Sequence, residues 1–266
     1  MSAHRSPLGW QGRAAIITGA ASGIGLALAR ALAARGVDLA IADIDTDALE
    51  AARAELAATG RRVIARRVDV SDDEDVRAAA AAFDVALGPV HLLFNNAGID
   101  LSGRLDALSL AEWQRGFGVN VFGVVHGLRH FLPLLRRHGG RAQVVNTASG
   151  AGFWVHADAA MGAYAATKFA VVAISEALEH ELAGTPVGVS VLCPGPVATG
   201  IAARSDRASA LLRDSIAAGT APETVATLVL DAIERDDFYV FTPTRMADGV
   251  RRRSERILDA IARVPA

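Results

Sequence analysis

Short unbroken apolar runs recur along the chain, separated by longer segments whose apolar positions repeat with a helical period. Residues 13–18, 37–42, 62–68, 90–94, 142–146 and 187–192 read as six strands, and residues 238–241 as a candidate seventh. These runs lack the strict alternation of a half-exposed sheet, so each strand is expected to be covered on both faces. Helices are predicted over 24–35, closed by Gly36, and over 47–58, 110–137 and 164–182. Ser71, with Glu74 three residues on, predicts a capping box opening another helix. Pro133 predicts a kink or an early end within 110–137, and Pro222 suits the first turn of a further helix. Strands alternating with helices through right-handed crossovers predict an α/β fold. It is a Rossmann-type, doubly wound parallel sheet of about seven strands with helices on both faces. No linker, charge block or repeat divides residues 1–266, so one domain is expected. The irregular stretch 200–219 is long enough to serve as a substrate loop or lid.

Composition narrows the partners. Hydrophobic residues make up 52% and charged residues 21%, a globular balance, and the formal net charge is −2. No basic block points to nucleic acid or a membrane surface; Arg251 to Arg253 read as the solvated face of a terminal helix. Cys193 is the only cysteine, which excludes an intramolecular disulfide and reads as a buried inert thiol. Residues 1–11 lack a signal-peptide core and no window holds 18 uninterrupted apolar residues, so a soluble cytoplasmic protein is expected. Scarcity is informative as well. Lys168 is the only lysine, Tyr164 and Tyr239 the only tyrosines, and Asn95, Asn96, Asn120 and Asn146 the only asparagines. Most of them fall within motifs.

The first strand runs into Thr18-Gly19-Ala20-Ala21-Ser22-Gly23-Ile24-Gly25. Glycines there let the backbone approach a pyrophosphate, and the following helix offers free N–H groups and its positive dipole end. Asp43 ends the second strand, where a carboxylate can accept both ribose hydroxyls and repel a 2′-phosphate. Ser22 and Ile44 offer no cation for that phosphate, so NAD is favoured over NADP. The alternative for Asp43 is a role in starting the next helix. Asp69-Val70 ends the third strand, placed to meet the adenine, and Asn95-Asn96-Ala97-Gly98 the fourth. Paired asparagines can tie strand ends together, and Ala97-Gly98 lets a cofactor pass close by.

Tyr164 and Lys168 lie four residues apart and share one helix face. A free tyrosine has a pKa of about 10, and a nearby ammonium is expected to lower it. Ser149, at the end of the fifth strand, can hydrogen-bond a substrate oxygen at the carboxyl edge of the sheet.

With these motifs in this order, the chain resembles the short-chain dehydrogenase/reductase family. The resemblance rests on Thr18 to Gly25, Asp69-Val70, Asn95 to Gly98, Asn120, Ser149, Tyr164 with Lys168, and Pro194-Gly195. It implies that Tyr164 is the general acid/base, that Ser149 orients the substrate oxygen, and that Lys168 binds the nicotinamide ribose. It implies further that Asn120 holds a relay water, that Pro194-Gly195 shapes the nicotinamide pocket, and that Val197 and Thr199 contact the carboxamide. No metal is required for direct hydride transfer. One departure stands out. The family's usual interval back from Tyr164 reaches Ala151, so Ser149 fits only if the 150–163 loop is two residues longer. That loop carries Phe153, Trp154, His156 and Met161 and is expected to shape an apolar or cyclic substrate pocket.

The expected activity is NAD-dependent interconversion of a secondary alcohol and a ketone. An NADPH-dependent carbonyl reductase (of a ketone or 3-oxoacyl group) is the alternative within enzymes, and a non-catalytic nucleotide-binding regulator the alternative outside them. Apolar residues on several faces of 164–182, together with the resemblance, imply a homotetramer or a homodimer.

Overall fold

The structure is a computed structural model describing residues 8–155, 160–205, 207–243 and 246–264. Its centre is a seven-stranded sheet ordered β3-β2-β1-β4-β5-β6-β7. The strands are β1 (Ala14–Thr18), β2 (Asp38–Asp43), β3 (Val63–Arg67), β4 (Leu92–Asn95), β5 (Ala142–Thr147), β6 (Val187–Cys193) and β7 (Tyr239–Phe241). Every neighbouring pair is parallel. The chain crosses from the β3 side to the β5 side between β1 and β4, which opens a crevice at their carboxyl ends.

The unbroken apolar strands fill two cores at once. Ala15 and Ile17 of β1, Leu39 and Ile41 of β2, and Leu92 and Phe94 of β4 face one cluster. That cluster is completed by α1 (Gly23–Ala33), α2 (Thr46–Ala57) and α9 (Pro222–Arg235). Their neighbours Ala14, Ile16, Ala40, Ala42 and Leu93 face the other, covered by α3 (Asp73–Leu87) and by Phe131, Leu132 and Leu135. The period of two along a strand explains this division.

Three sequence expectations change. Ser71 does not cap α3: its hydroxyl and N–H both bond Asp69 Oδ1, and Asp72 caps instead, accepting from Glu74 N and Asp75 N. The capping box belongs to Ser109 and Glu112, at the start of α4 (Leu110–Phe117). The helix expected over 110–137 is split into α4, one turn of π-helix (Gly118–Phe122), α5 (Gly123–His130) and α6 (Leu132–Arg137). Pro133 accounts for the break before α6, where its missing N–H costs nothing in the first turn. No proline marks the π turn; it sits at Asn120, and such turns gather at functional sites. Finally, 200–219 is not wholly irregular, because α8 (Ala210–Ala217) lies within it and contributes no buried residue.

The helix bearing Tyr164 is α7 (Gly162–Glu181). Its apolar residues are partly accounted for: Val171, Val172 and Leu178 are buried, while the guanidinium of Arg253 lies 4.8 Å from the centre of the Phe169 ring. Arg253 belongs to α10 (Ala247–Ala262), which is exposed from 251 onward. No helix among the described residues is long and apolar enough to cross a membrane.

Candidate active site

The glycine loop joins β1 to α1 and is held on three sides. Asn96 Nδ2 donates to Thr18 O and Gly19 O, at 3.1 and 3.2 Å. Thr18 Oγ1 accepts from the N–H groups of Asn96 and Ala97. Asp43 Oδ2 accepts from Ala21 N at 3.0 Å. A Cβ on Gly19 would stand 2.8 Å from Ala97 Cα, and one on Gly25 only 2.0 Å from Gly19 O. The loop therefore tolerates no side chain at either place. Ser22 caps α1 through backbone alone, its side chain making no capping bond, so the first-turn N–H groups have no side-chain acceptor there. Ile24 packs partly against the core.

Asp43 is not the helix starter, since Asp45 caps α2 by accepting from Ala48 N. Its Oδ1 accepts from Asp45 N and its Oδ2 from Ala21 N. Each carboxylate oxygen keeps a lone pair, enough for two ribose hydroxyls. Asp69 Oδ1 is occupied by Ser71, and Val70 is buried with its carbonyl accepting from His126. The asparagine pair ties strands as expected: Asn95 Nδ2 donates to Asn146 Oδ1 on β5, and Asn96 reaches back to β1. After β6, Gly195 N donates to the buried Thr242 Oγ1, and Val197 bridges to Thr220. Thr199 lies against Gly23, where an added Cβ would meet its methyl at 3.0 Å.

The chemistry-bearing residues converge opposite this loop. The Ser149 hydroxyl acts on Tyr164 in the direction that favours the phenolate; it donates to Pro194 O at 3.5 Å and accepts from Ala151 N at 3.2 Å. Ser149 thus acts on Tyr164 despite its 15-residue separation, while Ala151 donates its N–H to Ser149 and packs against the cluster that holds Tyr164. A 3₁₀ turn, Gly150–Gly152, begins the longer connection. Its aromatic residues point elsewhere than expected. Phe153 packs edge-on and tilted against Tyr239 and Phe241 of β7, at 5.8 and 5.4 Å between centres, and Trp154 lies against Gly249 of α10. Met161 and Ala151 of this loop join the apolar cluster around Tyr164, with Leu101, Leu108, Trp113 and Ala163. His156 falls outside the described residues.

Asn120 is buried, and its amide is largely committed. Oδ1 accepts from Ile99 N at 2.8 Å, while Nδ2 donates to Ile99 O and Thr167 Oγ1. One Oδ1 lone pair remains for the expected relay water. Thr167 in turn donates to Tyr164 O. Lys168 Nζ donates to Thr147 O at 2.9 Å and lies 5.6 Å from the centre of the Tyr164 ring. A Cβ on Gly98 would meet Lys168 Nζ at 3.5 Å and Asn120 Oδ1 at 3.3 Å, which brings the loop after β4 against both.

One electrostatic expectation fails. Tyr164 is not made more acidic by Lys168. Burial pushes the Tyr164 hydroxyl up to about 12; the Ser149 hydrogen bond opposes this and the charge of Asp100 adds to it. Burial also lowers Lys168 to about 8. The i, i+4 spacing sets the ammonium over the ring rather than at the hydroxyl, so desolvation dominates. Cys193 is fully buried and held as a thiol, pushed up to about 12.

The sequence named Thr18 within the glycine motif without a role for it, and Thr167, Thr242 and Asp100 were missed. Asp100 accepts from Ser102 Oγ at 2.7 Å and from Ser205 Oγ at 2.5 Å. Thr18 opens the glycine motif and Thr167 precedes Lys168, positions that could have flagged them; nothing local marks Thr242 or Asp100.

A family model for short chain dehydrogenase matches residues 13–210. The chain belongs to the short-chain dehydrogenase/reductase family. It is an oxidoreductase acting on CH–OH groups. Its relatives include the 1-deoxy-11-beta-hydroxypentalenate dehydrogenase of Streptomyces exfoliatus, 41% identical over 87% of this chain and 83% of that one. The cyclohexanol dehydrogenase of Acinetobacter sp. (strain SE19) is 31% identical over 89% and 94%. Among solved structures, a short chain dehydrogenase/reductase from Burkholderia phymatum in complex with NAD matches with TM-score 0.89 and 41% identity, over 97% of this chain and 98% of that one. A short chain dehydrogenase from Burkholderia cenocepacia J2315 in complex with NADP matches with TM-score 0.76 and 30% identity, over 88% and 97%.

Proposed function

We propose that this short-chain dehydrogenase is NAD-dependent and interconverts a secondary alcohol and a ketone, with Tyr164 as general acid and base. The hydrogen-bonded set Tyr164–Thr167–Asn120, with Ser149 acting on the Tyr164 hydroxyl and Lys168 beside Gly98, carries the reading. A bound nicotinamide supplies or accepts the hydride. Tyr164 in its protonated form gives its proton to the ketone oxygen in reduction, and as the phenolate it takes the alcohol proton in oxidation. Ser149 holds the same oxygen beside it. Asn120 fixes the strand-end segment at Ile99, and Lys168 stands where the nicotinamide ribose would pass Gly98. The apolar wall of Leu101, Leu108, Trp113 and Met161 suits an apolar, cyclic substrate, in keeping with the cyclohexanol-oxidising relative. Assembly as a homotetramer or homodimer belongs to the same reading.

A panel of cyclic and open-chain secondary alcohols, assayed with NAD and NADP by absorbance of the reduced cofactor, tests it. We expect kcat/KM about a hundredfold higher with NAD, because a 2′-phosphate would face the Asp43 carboxylate. Asp43→Ala should weaken NADH binding about tenfold and shrink that preference. A wild-type preference for NADP would instead favour the carbonyl-reductase reading.

The pH dependence follows from the position of Asp100. Its negative charge raises the Tyr164 pKa, so Asp100→Asn should favour the phenolate. The limb of the kcat/KM profile belonging to Tyr164 should then move to lower pH. An unmoved limb would separate Asp100 from the proton transfer.

A further inference from the structure

We propose that Arg204 is a phosphate-binding residue of the dinucleotide groove, delivered by the strap that follows β6 rather than by the glycine motif. The inference rests on the cofactor groove proposed above. Arg204 Nη2 donates to Ser22 Oγ at 3.4 Å across 182 residues of chain. Ser22 stands at a junction. Its predecessor Ala21 donates to Asp43, the carboxylate placed for the adenosine ribose. Its successor Gly23 begins α1, whose end is placed for the diphosphate. The loop from Gly19 to Gly25 carries no charged side chain of its own. Arg30, further along α1, is already held by Glu55 at 2.6 and 2.8 Å. A guanidinium at Ser22 therefore supplies the full positive charge that the loop lacks, in a form that binds phosphate oxygens through charge-assisted hydrogen bonds.

The strap is held in place by further long-range contacts. Ser205 Oγ donates to Asp100, beside Tyr164, and Arg207 Nε donates to Glu112 Oε1 at 2.6 Å. Both ends of the groove are thus touched by one short segment. What lies behind it is loosely filled: a cavity of about 550 Å³ is bordered by Gly23, Thr199, Ala203, Arg213 and Pro222. α8 contributes no buried residue, and the strap before it is anchored by the buried Ala202 and Ala208 together with these polar contacts.

Two phosphates of a dinucleotide could meet Arg204, the diphosphate and the 2′-phosphate of NADP. The Asp43 carboxylate disfavours the second, so the diphosphate is assigned. The test is calorimetric titration of NADH, NADPH, ADP and adenosine into the wild type, Arg204→Ala and Arg204→Lys. The alanine variant should bind NADH and ADP about tenfold more weakly, with adenosine unchanged. Its ADP affinity should also depend less on ionic strength. The lysine variant should recover part of the loss. Unchanged ADP affinity in the alanine variant would overturn the assignment, as would an equal loss for adenosine, which marks a general distortion of the loop. A loss confined to NADPH would move Arg204 to the 2′-phosphate and overturn it equally. A wild type that binds NADPH better than NADH would sink the cofactor preference, while the ADP and adenosine pair still decides Arg204.

Discussion

Replacing Tyr164 with phenylalanine is expected to lower kcat by about 10²- to 10⁴-fold, the usual worth of a positioned general acid–base group. The change deletes one oxygen from a residue whose ring is already enclosed by Leu101, Leu108 and Ala163, so packing should survive. Ser149 keeps its bonds to Pro194 O and from Ala151 N. The cofactor loop is untouched, because its supports are Asn96, Thr18 and Asp43. Steady-state kinetics should therefore show the loss in kcat, while NADH fluorescence titration shows an affinity within about twofold of wild type. A kcat within tenfold of wild type would leave the proton transfer to another group.

The second large effect is expected for Gly25→Ala. The new methyl would stand 2.0 Å from the carbonyl oxygen of Gly19 and 2.7 Å from Asn96 Nδ2. No rotamer relieves this, since alanine has none, and both obstacles belong to one hydrogen-bonded knot. The loop must move, at a strain of about 1–3 kcal/mol, which corresponds to a loss of about five- to 150-fold in NADH affinity. The melting temperature should fall with it, because the same loop joins β1 to α1 in the core. Wild-type affinity in this variant would show that the cofactor does not depend on the loop's conformation.

Much of this was readable one segment at a time. Continuous apolar runs such as Ala14 to Thr18 and Val187 to Cys193 announce strands buried on both faces. Glycine spacing announces a tight loop because a missing side chain is a local property. The tyrosine–lysine pair is local too, fixed by the helical repeat. Capping was harder to place. Ser71 and Asp72 both have suitable side chains, and the choice went to Asp72 because Asp69 engages Ser71 first. The π turn at Asn120 left no signal, since it depends on Asn120 bonding Ile99 and Thr167 from different elements.

The sequence by itself determined the order of elements, the place of the crevice and the residue types gathered there, because periodicity, glycine content and i, i+4 spacing act over a few residues. Only the tertiary structure decided what those residues meet. It let the Ser149 hydroxyl act on Tyr164, turned Phe153 toward β7 and Trp154 toward α10, brought Arg204 to Ser22, and made the Tyr164 hydroxyl less acidic instead of more. The reason is common to all four. Contacts between distant segments and the cost of leaving water are properties of the assembled fold, and no short stretch of chain contains them.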